Sequence, residues 1–388
     1  MNIELAKRLD GIGEYYFSQK LKEIEGLNKT GRTVINLGIG SPDLPPHPDV
    51  IRVLQEESAK PNTHAYQSYR GAEAFRKAVA AWYSTWYKVD LDPASQILPL
   101  IGSKEGIMHI CMTYLNEGDE ALVPNPGYPT YRSAVQLAGG RCREYLLTEE
   151  NEYYPDFAAL QNEDLSRVKL MFVNYTHMPT GARAQKAGLE RIVAFARERG
   201  ILVVHDNPYS FILNDDPLSM LSVPGAEETV IELNSLSKSH NMAGWRVGVL
   251  CGSAQRIDEV LRFKSNMDSG MFLPVQLAAA KALSLDASWY DKVNAVYSER
   301  RLKANELIDE VLKCKYDSEQ AGMFLWARIP DGYRDGFELS DRILNGARVF
   351  ITPGGIFGTA GINYIRVSLC SPVEKINESI QRIKNAGI

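Results

Sequence analysis

The chain has 388 residues, which is longer than one ordinary domain and suits a two-domain enzyme. Hydrophobic residues make up 45% of the sequence and charged residues 23%, and these shares exclude disordered and fibrous proteins. The formal net charge is −5 without any run of basic residues, so we expect no nucleic-acid partner.

The cysteines and the apolar runs bear on compartment and membrane contact. The five cysteines lie far apart and form no CxxC pair, which predicts reduced thiols in a cytoplasmic protein and no metal site. Residues 1–4 lack a basic stretch followed by an apolar one, so we expect no signal peptide, and no apolar run approaches membrane-spanning length. We therefore expect no membrane partner.

Short apolar runs alternate with helical periodicity through the middle of the chain. The runs at 121–123, 170–173 and 201–204 predict buried strands. The spacing of apolar residues predicts one helix after Ser103 and another around 189–196. This alternation predicts an α/β fold with a mainly parallel sheet flanked by helices on both faces. Active sites of such sheets lie at the carboxyl ends of the strands.

The C-terminal third has a different pattern. Residues 287–314 predict one long helix, and 322–328 and 364–369 predict short strands. The last helix is predicted to begin with Ser371 as its N-cap and Pro372 as its first residue. These elements predict a smaller α+β domain.

The change of pattern near residue 285 predicts the domain boundaries. The large domain, which is expected to bind the cofactor, covers 49–285. Residues 1–48 and 286–388 are expected to pack together as the small domain.

The segment 234–248 contains the most informative polar residues. Lys238 follows a predicted strand beside the hydroxyls of Ser235 and Ser237, and Arg246 lies eight residues further on. An isolated lysine of this kind fits a surface turn, but hydroxyls and an arginine near an amine also fit a bound phosphate. A lysine beside a phosphate is what pyridoxal phosphate (PLP) requires, because its aldehyde forms a Schiff base with an amine.

This segment is one of seven that occur in the order typical of a known family. Together they resemble the class I/II aminotransferases, which are fold-type I PLP enzymes, and the resemblance covers nearly the whole chain. The other six segments are 37–43, 66–71, 102–106, 126–131, 206–209 and 364–368.

The resemblance implies a PLP-dependent aminotransferase, which moves an amino group from an amino acid to a 2-oxo acid in a ping-pong cycle. Lys238 is implied to form the Schiff base and to transfer the proton as catalytic acid and base. Asp206 is implied to keep the pyridine nitrogen protonated, Tyr209 to donate to the ring's phenolic oxygen, and Tyr128 to stack on the ring. The sequence leaves the amino donor open.

The resemblance also implies residues that bind the substrate and the phosphate. Arg366 is implied to bind the α-carboxylate through its planar fork, near Gly40 of the substrate loop. Tyr15 belongs to a segment that resembles an aromatic pocket of the diaminopimelate-type branch, although an aromatic trio also suits a core. Tyr66 is implied to reach the partner's cofactor, so a homodimer with shared active sites is expected. The implied phosphate ligands are Gly102, Ser103, Lys104, Ser235, Ser237 and Arg246.

One residue departs from the family's pattern. The family has an asparagine directly before Pro-Thr-Gly, whereas this chain has Met178 there. A thioether cannot donate a hydrogen bond, so the phenolic oxygen of the ring loses one partner and Tyr209 is left as its expected donor. His177 is either a replacement donor or a histidine of a solvent-facing loop.

Other functions were weighed against this one. A dehydrogenase is disfavoured because no GxGxxG follows a predicted strand. A carbon–sulfur β-lyase and a decarboxylase on the same scaffold stay open, because both reactions begin from the same cofactor–substrate linkage as transamination. A non-catalytic PLP-binding protein is a further alternative.

Overall fold

The computed structural model describes residues 3–388. Its main sheet has seven strands, and only the strand Gly248–Cys251 runs antiparallel to its neighbours. The prediction of a mainly parallel sheet is therefore confirmed. In spatial order the strands are Ile97–Leu100, Gly248–Cys251, Val230–Ser235, Leu202–Asp206, Val168–Val173, Glu120–Asn125 and Arg141–Leu146.

Both faces of the main sheet are covered by helices. Along one central strand, Leu170 and Phe172 join a hydrophobic cluster with Ile107, while Met171 belongs to a second cluster with Ile192. Since neighbouring residues of a strand point to opposite faces, continuous apolar runs are the pattern that such burial requires. The helices between residues 48 and 283 are Pro48–Ser58, Glu73–Tyr87, Ser103–Tyr114, Pro129–Leu137, Phe157–Gln161, Lys186–Arg199, Ala226–Thr229, Leu236–Ser239, Ala254–Lys264 and Leu273–Leu283.

The C-terminal third forms a smaller antiparallel sheet. Its four strands in spatial order are Thr352–Pro353, Tyr364–Ser368, Phe324–Arg328 and Lys315–Tyr316. Helices accompany this sheet and the N-terminal segment. They are Tyr16–Asn28, Ala287–Asn305, Gly336–Ala347 and Val373–Asn385.

The N-terminal segment is joined to the C-terminal third by a short parallel ladder. Ile35–Asn36 pairs with Val349–Phe350, and the Leu37 carbonyl accepts a hydrogen bond from the Ser368 amide. The boundaries at 49 and 285 stay a prediction. Residues 1 and 2 of the predicted small domain lie outside the described residues.

Two expectations for the C-terminal third need correction. Pro372, and not Ser371, is the N-cap of the last helix, because the Ser371 hydroxyl donates to the Asn36 carbonyl at 3.2 Å instead of capping. The predicted long helix ends earlier than residue 314: it runs over Ala287–Asn305 and closes with a π-helical turn at Glu306–Val311. In residues 3–388, no helix has the length and apolar character needed to cross a membrane.

Candidate active site

A cavity of about 460 Å³ lies at the carboxyl edge of the main sheet. The register of the parallel strands ends Leu202–Asp206 beside Val230–Ser235, so residues of both strand ends face the same space. The small sheet closes the cavity from the other side. Twelve residues predicted from the sequence line it, namely Tyr15, Gly40, Ser103, Lys104, Tyr128, Asp206, Tyr209, Ser235, Ser237, Lys238, Arg246 and Arg366.

Lys238 projects from the short helix Leu236–Ser239, directly after a main-sheet strand. Ser235 caps this helix, because its Oγ accepts a hydrogen bond from the Ser237 amide. The Lys238 Nζ donates to the Gly40 carbonyl at 2.6 Å. The pKa of this amine is lowered to about 8, chiefly by burial, which disfavours the charged form. Near neutral pH the site therefore holds an amine with an appreciable neutral, nucleophilic fraction.

Asp206 is a buried carboxylate with one free oxygen. Its Oδ2 accepts a hydrogen bond from the Tyr131 hydroxyl at 2.8 Å, whereas its Oδ1 has no partner among the described residues. Burial raises the pKa of this carboxyl to about 6, and the hydrogen bond from Tyr131 opposes the shift. A buried polar atom without a partner is costly, so this oxygen fits a ligand that brings its own N–H, as a protonated pyridine nitrogen does.

Donors and cations gather at another end of the cavity. Gly102 has a φ of +83°, and a Cβ at this position would collide with the Arg246 guanidinium. Ser103 is the first residue of the helix Ser103–Tyr114, whose first-turn N–H groups lack partners within the helix. The pKa of Lys104 is lowered by burial and by the neighbouring Arg246 charge. This combination of amides, hydroxyls and two cations fits a phosphate dianion.

Arg366 is a buried cation on the small sheet. Its guanidinium lies over three phenyl rings, with its central carbon 3.9 Å from the Phe324 centroid, 4.7 Å from that of Phe357 and 5.5 Å from that of Phe17. Nη2 donates to the Gly38 carbonyl at 2.6 Å, but Nε has no partner. Among residues 3–388 no carboxylate pairs with this guanidinium. A buried guanidinium without a counter-ion fits the carboxylate of a bound substrate.

Two tyrosines complete the walls near Lys238. The Lys238 Nζ lies 6.0 Å from the Tyr209 ring centroid, and burial raises the pKa of the Tyr209 hydroxyl. The Tyr128 ring meets the Tyr131 ring edge to face, with the centroids 5.5 Å apart. Burial also raises the pKa of the Tyr128 hydroxyl, so both hydroxyls stay protonated near neutral pH and are available as donors.

Tyr66 and His177 lie outside the cavity of this chain, whereas Met178 lies in its wall. Tyr66 is 93% exposed and does not line the cavity of its own chain. His177 is buried and hydrogen-bonds Thr180 at 2.7 Å, so its solvent-facing alternative is wrong, and it does not line the cavity either. Met178 does line the cavity, and its Sδ lies 3.2 Å from the Arg366 Nη1.

Tyr131 and Asn174 were not among the site residues expected from the sequence, although both contact Asp206. The Asn174 amide donates to the Asp206 carbonyl and accepts from the Met178 amide, so it fixes the loop after its strand. Its position directly after an apolar run is a signal that could have identified it. Tyr131 lies three residues after Tyr128, which is the spacing of neighbours on a helix face.

The fold and this cavity define the class of protein as a fold-type I PLP enzyme. The family model for aminotransferase class I and II matches residues 32–383, and the chain therefore belongs to this family. It is a PLP-dependent aminotransferase whose substrates are amino acids and 2-oxo acids. The predictions of family, fold, enzyme class and cofactor are confirmed.

Individual proteins agree with this membership. The chain is 39% identical to the LL-diaminopimelate aminotransferase of Halothermothrix orenii over 388 residues, which cover 100% of this chain and 99% of that protein. It is 41% identical to the LL-diaminopimelate aminotransferase of Moorella thermoacetica, covering 98% and 97% of the two chains. The apo structure of BacF from Bacillus subtilis superposes with a TM-score of 0.96 at 36% identity, covering 100% and 99%.

Proposed function

We propose that Lys238 is the residue that binds the cofactor's aldehyde and that moves the proton at the substrate's Cα. Its lowered pKa supports both roles, because a neutral amine is the nucleophile and a pKa near the working pH suits acid–base catalysis. Bound there, PLP supplies an electron sink for the charge that develops at Cα.

Asp206 is proposed to hold the pyridine nitrogen of the cofactor through its free Oδ1. This unpartnered oxygen is the observation that carries the assignment, because no described residue satisfies it. Tyr131 fixes the carboxylate through Oδ2, Tyr209 donates to the phenolic oxygen, and Tyr128 stacks on the ring. The phosphate is assigned to Gly102, Ser103, Lys104, Ser235, Ser237 and Arg246.

Arg366 is proposed to bind the α-carboxylate of both the amino acid and the 2-oxo acid. Its free Nε and its lack of a counter-ion support this role. Gly40, whose carbonyl contacts Lys238, and Tyr15 line the same space. The names of the relatives make LL-diaminopimelate one donor to be tested, and this compound has a second ammonium and a second carboxylate.

The variant Lys238→Ala tests the first assignment. We expect it to lose about 10⁴-fold in kcat and to lose the absorbance of the lysine-bound cofactor. Lys60→Ala is the matched control, because Lys60 pairs with Glu57 at the surface. A Lys238→Ala protein that keeps both the activity and the absorbance band would refute the assignment.

We further propose a cytoplasmic homodimer in which Tyr66 completes the partner's phosphate site. The high exposure of Tyr66, outside the cavity of its own chain, supports a role in trans. The free state of all five cysteines supports a reducing compartment.

A mixing experiment tests the shared site. In a hybrid of Tyr66→Phe with Lys238→Ala, one site has both defects and the other has neither, so activity should exceed that of either parent. Tyr69→Phe, on the same exposed segment, serves as the control that keeps activity. No recovery after demonstrated subunit exchange would contradict a shared site.

A further inference from the structure

The part of the cavity that is left for the substrate's side chain is apolar. Once the residues proposed to hold the cofactor are set aside, its remaining walls are largely hydrophobic. They include Tyr15, Phe17, Ile39, Met178, Phe324 and Phe357.

A second ammonium group would find no acceptor of opposite charge in this space. Among the described residues of this chain that line the cavity, Asp206 is the only acidic one, and its free oxygen is assigned to the cofactor. An ammonium that loses water without gaining a carboxylate partner is strongly disfavoured. The chain's own residues therefore disfavour a diamino substrate.

A second carboxylate on the substrate would also lack a partner of opposite charge in this space. Four cationic side chains line the cavity. Lys238 is assigned to the cofactor's aldehyde and Arg366 to the α-carboxylate, while Arg246 and Lys104 lie together at the phosphate end. The Lys104 Nζ is also 4.5 Å from the Tyr15 ring centroid, within cation–π range. Among residues 3–388 of this chain, no cation that lines the cavity is thus left free for a distal carboxylate.

The aromatic rings of the cavity wall are arranged so that they can pack against an aromatic side chain of the substrate. Tyr15 and Phe17 lie with their centroids 5.6 Å apart at a tilted angle, and Phe324 meets Tyr209 edge to face at 5.8 Å. Edge and face contacts of this kind favour a further ring over an alkyl chain that ends in charges. Met178, where the family has an asparagine, replaces a polar amide with a polarizable apolar group.

Resting on the proposed function, we propose that this site takes amino donors with a large, uncharged apolar side chain, represented by phenylalanine, in preference to a diamino dicarboxylate. The specificity follows from the groups of residues 3–388 that line the cavity. Three phenyl rings surround the guanidinium proposed to hold the α-carboxylate, and these residues leave no free carboxylate and no second free cation.

A donor panel tests the proposal on the holoenzyme. The half-reaction is followed by the change of the lysine-bound cofactor's absorbance with phenylalanine, tyrosine, leucine, alanine, lysine and LL-diaminopimelate. We expect kcat/KM for phenylalanine to exceed that for LL-diaminopimelate by about tenfold or more, the gain from burying one ring. A faster reaction with LL-diaminopimelate or lysine overturns the donor proposal alone, whereas no conversion by any donor overturns the proposed function with it.

Binding without chemistry gives an independent readout. Calorimetry of the holoenzyme with 3-phenylpropanoate and with pimelate, both lacking an amine, compares an aromatic with a dicarboxylate ligand. We expect 3-phenylpropanoate to bind about tenfold more tightly. Equal affinity, or tighter binding of pimelate, contradicts the proposal.

A variant of Phe17 tests whether the cavity wall causes the preference for phenylalanine. Phe17→Ala removes one ring near Arg366, so kcat/KM should fall about tenfold for phenylalanine and stay within about twofold for alanine, which does not reach the wall. Leu302→Ala, at a 70% exposed position, is the control and should change neither value. An equal loss for both donors would mean that Phe17 only supports the fold or Arg366, and would overturn its role in specificity.

Discussion

The two sides of the active-site cavity are built in different ways. The cofactor side is polar and is formed by residues that directly follow strands of the main sheet, such as Asp206 and Lys238. The substrate side combines the N-terminal segment around Phe17 with the small sheet around Phe324 and Arg366. On the cofactor side, the buried Asp206 carboxylate has an oxygen without a partner. On the substrate side, the buried Arg366 guanidinium has a nitrogen without a partner.

Because the two sides differ in this way, we expect the cofactor side to determine the reaction type and the substrate side to determine which amino donor is used. The unpartnered oxygen of Asp206 and the lysine amine suit one fixed cofactor, so the main sheet sets the reaction type. The apolar walls around Arg366 come from segments far apart in sequence, and these segments are not the strand ends of the main sheet. Changes on the cofactor side should therefore lower kcat for every donor, and changes on the substrate side should act through KM or donor choice.

The largest expected effect is on the cofactor side. Asp206→Asn keeps the shape but removes the charge that faces the ring nitrogen, so kcat should fall about 10²- to 10³-fold for all donors. Kinetics with phenylalanine and alanine measure this loss, and Asp215→Asn, an exposed change in the following loop, is the control. A loss limited to KM would instead place Asp206 on the substrate side of the cavity.

A smaller effect is expected at the substrate side. Arg366→Lys keeps the positive charge but loses the planar fork, so KM for the amino acid should rise about 10- to 100-fold with a smaller change in kcat. Arg328→Lys, on the neighbouring strand and exposed, is the matched control. An unchanged KM would show that another group binds the α-carboxylate.

The smallest effect is expected where the two sides meet, at Met178. Its Sδ now faces the Arg366 Nη1, and Met178→Asn should restore a donor to the cofactor's phenolic oxygen. A hydrogen bond from the new asparagine would stabilise the phenolic oxyanion most when the nitrogen of the lysine–cofactor linkage has lost its proton. In that state the negative charge on the phenolic oxygen is more concentrated. The pKa reported by the cofactor spectrum should fall by up to about one unit.

A spectrophotometric titration of wild type and Met178→Asn measures this shift. Met267→Asn, at a 52% exposed position, controls for a methionine replacement that is remote from the cofactor. An identical pKa in the wild type and in Met178→Asn would mean that another donor already serves the phenolic oxygen.

The fold could be predicted from local patterns, and the cofactor side from motifs that resemble those of the family. Continuous apolar runs such as 170–173 and 201–204 predict buried parallel strands, whose carboxyl ends are the expected place of the site. The roles of the polar residues after these runs, such as Asp206, were implied only by the resemblance. The N-cap at Ser371 was wrong for a nonlocal reason: its hydroxyl is taken by the Asn36 carbonyl, 335 residues away in sequence.

The substrate side could be predicted only in part. Arg366 and Tyr15 were identified by resemblance, but the position of Phe17 and Phe357 on the Arg366 guanidinium depends on how distant segments pack. The hydrogen bond from Tyr131 to Asp206 spans 75 residues and is equally invisible to periodicity. Such contacts follow from tertiary packing, which no local pattern encodes.

The most direct test of the central claim identifies the lysine that binds the cofactor. Borohydride reduction of the holoenzyme fixes the lysine–cofactor bond, and peptide mass spectrometry then locates the label. We predict a single label on Lys238, the lysine that faces the Asp206 side of the cavity. A label on any other lysine, or none on Lys238 in a protein that has taken up the cofactor, would contradict the assignment of Lys238 to the cofactor side of the cavity.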